Sequence, residues 1–454
     1  MTTDPRVGVV GAGIAGASLA HFVNEHIDRD FEIVVFEQDD RVGGRIRDVD
    51  VGGVTVETGA KFVLPWNRHL TGFIDQFDLP TRDAVELTDQ RIGIWDGSSM
   101  TFETSRWGWL TVLKMLRRYG FGIRSIQPAI DEVIERVGRI YESPLVSTSF
   151  HSAVELLEAL DLDHLTERTG HEHFENLGIP ESFVREFVDG GARSIYAQDS
   201  SMNAFASLIV MSAVGGSEQP FAVDGGNAQV CRHLLDTAQA EIRLETPVDR
   251  ISMLSTKDGA TYSIETGQGV DERFDAVCLA TPLEVSDIEF ENVDLPTNVA
   301  DRRYVTLHVS IIVGRLDPDY FDCRTAADIP GFVLTTASTH DPFMFLLRRG
   351  ETDDGTATIY QLWSRTAGDD ERLTDVFAQI DDHRTVTWDA FPELSPGVSM
   401  PPFRLAQGLY YVNAAESIAS AMEAEAIGGR NVANLIAEDF SNGHPGITPA
   451  DGSG

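Results

Sequence analysis

Three glycines near the start of the chain, Gly11, Gly13 and Gly16, stand in the spacing that cradles a pyrophosphate. Gly11 permits a tight turn, Gly13 lets the backbone approach phosphate oxygens, and Gly16 lets a helix pack close to a strand. An acid at Glu37 follows roughly 20 residues later, where a carboxylate can hold a ribose hydroxyl and disfavour a 2′-phosphate. Directly after it, Arg41, Gly43, Gly44 and Arg45 form an Arg-x-Gly-Gly-Arg run. Its glycines allow a second close backbone approach, and Arg45 can neutralise a pyrophosphate too long for one helix dipole. Together these residues point to FAD rather than to an ordinary glycine-rich turn.

The elements that must position them are legible in the same stretch. Val7, Val9 and Val10 make an apolar, β-branched strand ahead of the glycines. A helical pattern through Ala17, Leu19, Ala20 and Phe22 follows, and residues 32–36 form a second strand ending at Glu37. The helix would then aim unpaired N–H groups and its positive dipole end at the phosphates.

Farther along, residues 107–217 carry helical periodicity. Segments 242–251, 260–265 and 275–280 read as strands, 304–388 as a strand-rich block, 408–412 as a strand and 418–440 as one long helix. Interleaving of this kind predicts an α/β chain with a discontinuous Rossmann-type FAD-binding domain and an inserted α+β substrate domain. The first would comprise 1–75, 221–290 and 402–440, the second 76–220 and 291–401, with a flexible tail at 441–454.

Composition narrows the setting. The net charge is −37, and lysine occurs only at Lys61, Lys114 and Lys257, the other basic residues being arginine. Acids spread along the whole chain suit a protein in molar salt, where self-repulsion is screened, and argue against nucleic acid as a partner. No stretch is apolar enough to span a bilayer, and residues 1–6 lead straight into the first strand, so no signal peptide is expected. Widely spaced Cys231, Cys278 and Cys323 fit a reducing compartment and give no metal pattern. His164, His171 and His173 lack the i, i+4 pair of a zinc site, so no metal is expected. These features point to a halophilic cytoplasm.

One segment runs against the overall charge. Residues 106–124 contain Arg106, Lys114, Arg117, Arg118 and Arg124, no acid, and a series of aromatic and aliphatic side chains. It reads either as a helix lying on a membrane surface or as a core-packed helix with snorkelling arginines.

Several further segments carry a family resemblance. They include Glu57-Thr58-Gly59-Ala60, Pro65-Trp66-Asn67-Arg68-His69-Leu70, Arg118-Tyr119-Gly120-Phe121, Asn203-Ala204-Phe205 and Val223-Asp224-Gly225-Gly226-Asn227. Ala280-Thr281-Pro282-Leu283, and Leu409-Tyr410-Tyr411-Val412-Asn413 running into Ala419-Ser420-Ala421-Met422-Glu423, complete the set. The chain resembles the prenylcysteine oxidase (prenylcysteine lyase) family, within the flavin amine oxidase-like superfamily, over almost its whole length.

The resemblance implies oxidative cleavage of the thioether of an S-prenyl-cysteine. FAD would take hydride from the prenyl carbon next to sulfur, water would add, and collapse would give a prenyl aldehyde and cysteine. Molecular oxygen would then accept the electrons as hydrogen peroxide. It also implies a cofactor-binding set that adds Ile14, Ala15, Gln38, Thr58, Gly59, Ala60 and Thr281 to the residues above. Glu416 would meet ribityl or phosphate oxygens, against the alternative of a solvated surface acid. Ala421 and Met422 would aim N–H groups at the flavin O2, and Val248 either contacts adenine through its backbone or fills the core.

Lys61 departs from the small polar residue common at its place in the family. It is the candidate catalytic residue, an active-site cation near the flavin or the substrate carboxylate, or else an exposed lysine. Amine oxidases of the superfamily usually carry a lysine in the middle of the substrate domain, whereas residues 259–454 contain none. That disfavours amine oxidation, and leaves an isoprenoid or carotenoid desaturase, or an FAD-containing lipid-binding protein without turnover, as alternatives. No cysteine or histidine lies beside 416–423, so the flavin is expected to be non-covalent.

Overall fold

The computed structural model describes residues 4–27, 31–84, 91–215, 219–256, 259–269, 271–336, 342–366 and 369–441. The tail expected at 441–454 falls, beyond its first residue, outside the described residues.

The glycine motif follows an interior strand of a six-stranded sheet. Its order is Arg404–Ala406, Leu409–Tyr411, Ala276–Leu279, Arg6–Val10, Glu32–Phe36, Glu241–Arg243. All neighbours pair in parallel except the first two, which are antiparallel. Strands from the beginning, middle and end of the chain therefore share one sheet. Parallel strands covered on both faces need near-continuous apolar runs. Val7, Val9, Val34, Val35, Val277, Cys278 and Leu279 supply them, all fully buried.

Two close approaches fix the crevice at the carboxyl end of this sheet. Gly11 holds φ at 109°, and a Cβ there would lie 2.6 Å from the Ala280 carbonyl oxygen. A Cβ on Gly16 would lie 2.0 Å from the Gly11 carbonyl oxygen. A side chain at either position would push the first helix (Ile14–His26) off the strand that feeds it. The last helix (Met422–Ser441) packs along the first and covers the same face of the sheet. It begins at Met422 rather than at 418: a 3-10 turn, Val412–Ser417, is followed by four residues outside any helix.

A seven-stranded sheet takes Ile92–Trp95 and Met100–Glu103 from before the helical region. Its other strands are Tyr304–Leu316, Phe332–Thr335, Phe345–Glu351, Thr358–Ser364 and Phe377–Pro392, from after it. A four-stranded sheet is built from strands between Val248 and Glu291. Among the described residues, no helix is long and apolar enough to cross a membrane.

Candidate active site

A cavity of about 700 Å³ opens at the carboxyl ends of the parallel strands, where open α/β sheets hold their ligands. Backbone hydrogen bonds set the order of its wall. At one end Thr246 N–H donates to the Glu37 carbonyl, and the Glu37 carboxylate accepts from the Ala12 and Asp39 amides at 2.8 and 2.9 Å. Next, the Gly43 amide donates to the Ala12 carbonyl, which lays the two glycine turns side by side. Beyond them the Ala60 amide donates to the Arg45 carbonyl and carries the wall to the Thr58-Gly59-Ala60 turn.

The expected cofactor residues converge on this wall. Gly11, Gly13, Ile14 and Ala15 line it beside Gly43, Gly44 and Arg45. Glu37, Gln38, Val248 and Thr281 line it too, as do Thr58, Gly59, Ala60, Lys61, Ala421 and Met422. Val248 is at once buried and part of the wall, so its two expected roles coincide. Gly16 stands behind Gly11 and acts through packing alone.

The wall fits a dinucleotide. The first helix has Gly13 at its N-cap, no side-chain cap and no acid in its first turn. Its opening amides therefore have no side-chain acceptor, an arrangement suited to an anion. The Glu37 oxygens each accept one amide and keep lone pairs for ribose hydroxyls. Burial raises the Glu37 pKa, while the Asp39 and Ala12 amides oppose the rise.

One expectation needs correction. Glu416 neither lines the cavity nor meets solvent: it is fully buried. Its carboxylate is ion-paired with Arg45 and accepts from the Tyr304 and Ser420 hydroxyls at 2.8 and 2.7 Å. Burial alone would push its pKa up, but the Arg45 guanidinium, with help from Arg302 and Ser420, holds it below the ordinary value. Arg45 correspondingly has its charge matched within the protein, and it also donates to the Ala390 carbonyl at 2.9 Å. A second carboxylate, Glu425, lies 3.8 Å from Arg45, with its pKa raised by burial and by the charge of Glu416.

Lys61 is not an exposed lysine. Its ammonium sits 4.1 Å from the Trp363 ring centroid and 4.4 Å from that of Phe345, on the cavity wall. Ring faces attract a cation, which offsets part of the cost of removing it from water. Burial still dominates and, with Arg349 pushing the same way and Glu57 opposing, lowers its pKa to about 7. Glu57 itself is buried, its pKa raised to about 7 by burial against the pull of Arg82 and Arg349.

The sequence missed the aromatic end of the cavity. Trp66, Trp363, Trp388 and Phe391 line it with Ile195 and Ile209. Trp66 lies in a segment already singled out; the others come from distant strands and two helices, with no local motif to mark them. His164 instead lies with Asp161 and Asp163 in a mostly exposed group away from the cavity wall.

Comparison with known proteins agrees with this geometry. The family described as prenylcysteine lyase matches residues 102–447, and an NAD(P)-binding Rossmann-like domain matches residues 9–77. The chain is 29% identical to farnesylcysteine lyase of Arabidopsis thaliana, covering 96% of this chain and 88% of that protein. It is also 29% identical to prenylcysteine oxidase 1 of Homo sapiens, covering 98% and 91%. In fold it is similar to cyclohexylamine oxidase from Brevibacterium oxydans, with a TM-score of 0.66, 18% identity, and 97% and 100% of the two chains covered. A putrescine oxidase structure gives a TM-score of 0.60 at 14% identity, covering 97% and 100%.

Proposed function

The chain belongs to the prenylcysteine lyase family, and from that premise we propose that it is an FAD-dependent oxidoreductase cleaving the thioether of a prenylated cysteine. The products are a prenyl aldehyde and free cysteine; with oxygen as electron acceptor, hydrogen peroxide is the third. One observation carries this reading: a single cavity joins a glycine-lined, uncapped helix N-terminus to an aromatic end that holds one lysine. FAD, when bound, supplies the two-electron oxidation of the carbon that bears sulfur.

The protein's own groups do the rest. Glu37 holds ribose hydroxyls, and the amides of the first helix and the glycine turns hold the pyrophosphate. Ala421 and Met422, at the start of the last helix, present a positive dipole end to the flavin ring. Trp66, Trp363 and Trp388 receive the isoprenoid and exclude water. Lys61 is the active-site cation that takes the carboxylate of the cysteine portion.

This reading keeps 1–75, 221–290 and 402–440 for the cofactor, and 76–220 with 291–401 for the substrate. The acid-rich composition supports a working environment of molar salt inside a cell, and residues 106–124 support contact with a membrane surface.

Product identification tests the function. Incubation with a prenylated cysteine in air should release aldehyde, free cysteine and peroxide in equal amounts. A conjugated polyene from an isoprenoid precursor, with no thiol released from prenylcysteine, would replace this reading with a desaturase.

A further inference from the structure

The helix Gly108–Tyr119 has its apolar stripe on the wrong side for a core element. Trp109, Val112, Leu113 and Leu116 recur at i, i+3, i+4 and i+7, the spacing of one helix face. The first three are exposed and the fourth is half-buried. Only Tyr119 is buried in the whole helix. Trp107 before the helix and Phe121 after it extend the patch, and the two tryptophans are 68% and 69% exposed. Of nine exposed large hydrophobic side chains among the described residues, five lie between 107 and 121. Such a concentration marks a contact surface.

The opposite side of the helix is firmly attached. The Tyr119 ring packs against Phe102, Phe183 and Phe187, and its hydroxyl donates to Glu186. Arg118 makes two hydrogen bonds to the same Glu186 at 2.6 and 2.8 Å. The apolar face is thus held outward by a buried anchor.

The rim of the patch decides what covers it. Arg106, Lys114, Arg117 and Arg124 surround it, all exposed, with no acid between 106 and 124. In a chain of net charge −37, this is a cationic island. A twofold contact between copies would set the cationic rim against itself. We propose that this surface docks on an anionic lipid bilayer, with the tryptophans entering the interface and the basic side chains meeting headgroup phosphates. This docking surface is independent of prenylcysteine cleavage, so either can fail alone.

Flotation of the purified holoprotein with vesicles tests it. Phosphatidylglycerol mixed with phosphatidylcholine is compared with phosphatidylcholine alone, at low and at molar salt. The wild type should float with the anionic vesicles. Trp107→Ser with Trp109→Ser should reduce partitioning more than about tenfold, with the bound-flavin spectrum unchanged. Arg106→Gln with Arg117→Gln should cost about fivefold for each charge removed at low salt, and less in molar salt, where screening acts. A wild type that does not float, or variants that float equally well, would overturn the proposal. So would a concentration-dependent dimer in sedimentation that the tryptophan substitutions abolish, since the face would then be an interface between copies.

Discussion

Lys61 stands over Trp363 with its ammonium 4.1 Å from the ring centroid, on the wall of the cofactor cavity. The lowered pKa of about 7 means that the side chain changes charge within the working range of most enzymes. Below that value it is a cation able to hold a carboxylate; above it, a neutral amine. Substrate binding should therefore weaken as pH rises through 7, seen as a rising KM with little change in kcat. Lys61→Met should raise KM at low pH and flatten the profile. Because the Glu57 charge is what opposes the lowering of the Lys61 pKa, Glu57→Gln should move the midpoint downward. A KM independent of pH in the wild type would remove Lys61 from carboxylate binding.

The Glu37 carboxylate ties the first glycine turn to the loop after the second strand through the Ala12 and Asp39 amides. Glu37→Ala removes the acceptor for the ribose and leaves both amides without their present partner. The loss of charge-assisted hydrogen bonds should cost about 1.5–3 kcal/mol of FAD affinity, roughly ten- to a hundredfold. Titration of the apoprotein, followed by flavin fluorescence, measures it. Unaltered affinity would place the ribose elsewhere.

Arg45, on the cavity wall, and the fully buried Glu416 form an ion pair 371 residues apart in the chain. Arg45→Met would strand the Glu416 carboxylate and should destabilise the fold by about 3–5 kcal/mol. Arg45→Met with Glu416→Gln should recover part of that loss. Since Glu416 has a lowered pKa in the folded state, its contribution is present above the ordinary carboxylate value and fades as pH falls through the folded one. Denaturant melts at pH 7 and in acid follow both effects. A double-variant loss equal to the sum of the losses of Arg45→Met and Glu416→Gln alone would show that the pair is not coupled.

The parts of this site that the sequence makes legible are local ones. The turns around Gly11 and Gly43, and the acid at Glu37, lie within one βαβ unit, where backbone requirements fix residue type and spacing. The return of late strands to the first sheet follows from the same logic, since a strand near 409 has nowhere else to pair. What the sequence hides is partnership across the chain. Glu416 reads as a cofactor ligand until Arg45, Tyr304 and Ser420 are seen to surround it. Lys61 stays ambiguous until Phe345 and Trp363 close over it from strands far downstream. The helix Gly108–Tyr119 shows the converse: its amphipathic pattern is plain, but which face meets the protein depends on Tyr119 and Glu186.

The most direct test is anaerobic stopped-flow absorbance of the flavin-loaded protein, mixed in molar salt with S-geranylgeranyl-cysteine. Thioether oxidation in this cavity requires bleaching of the flavin band on mixing, release of free cysteine, and peroxide on re-aeration. A flavin that stays oxidised with every prenylated cysteine, in a protein that holds FAD firmly, would contradict it.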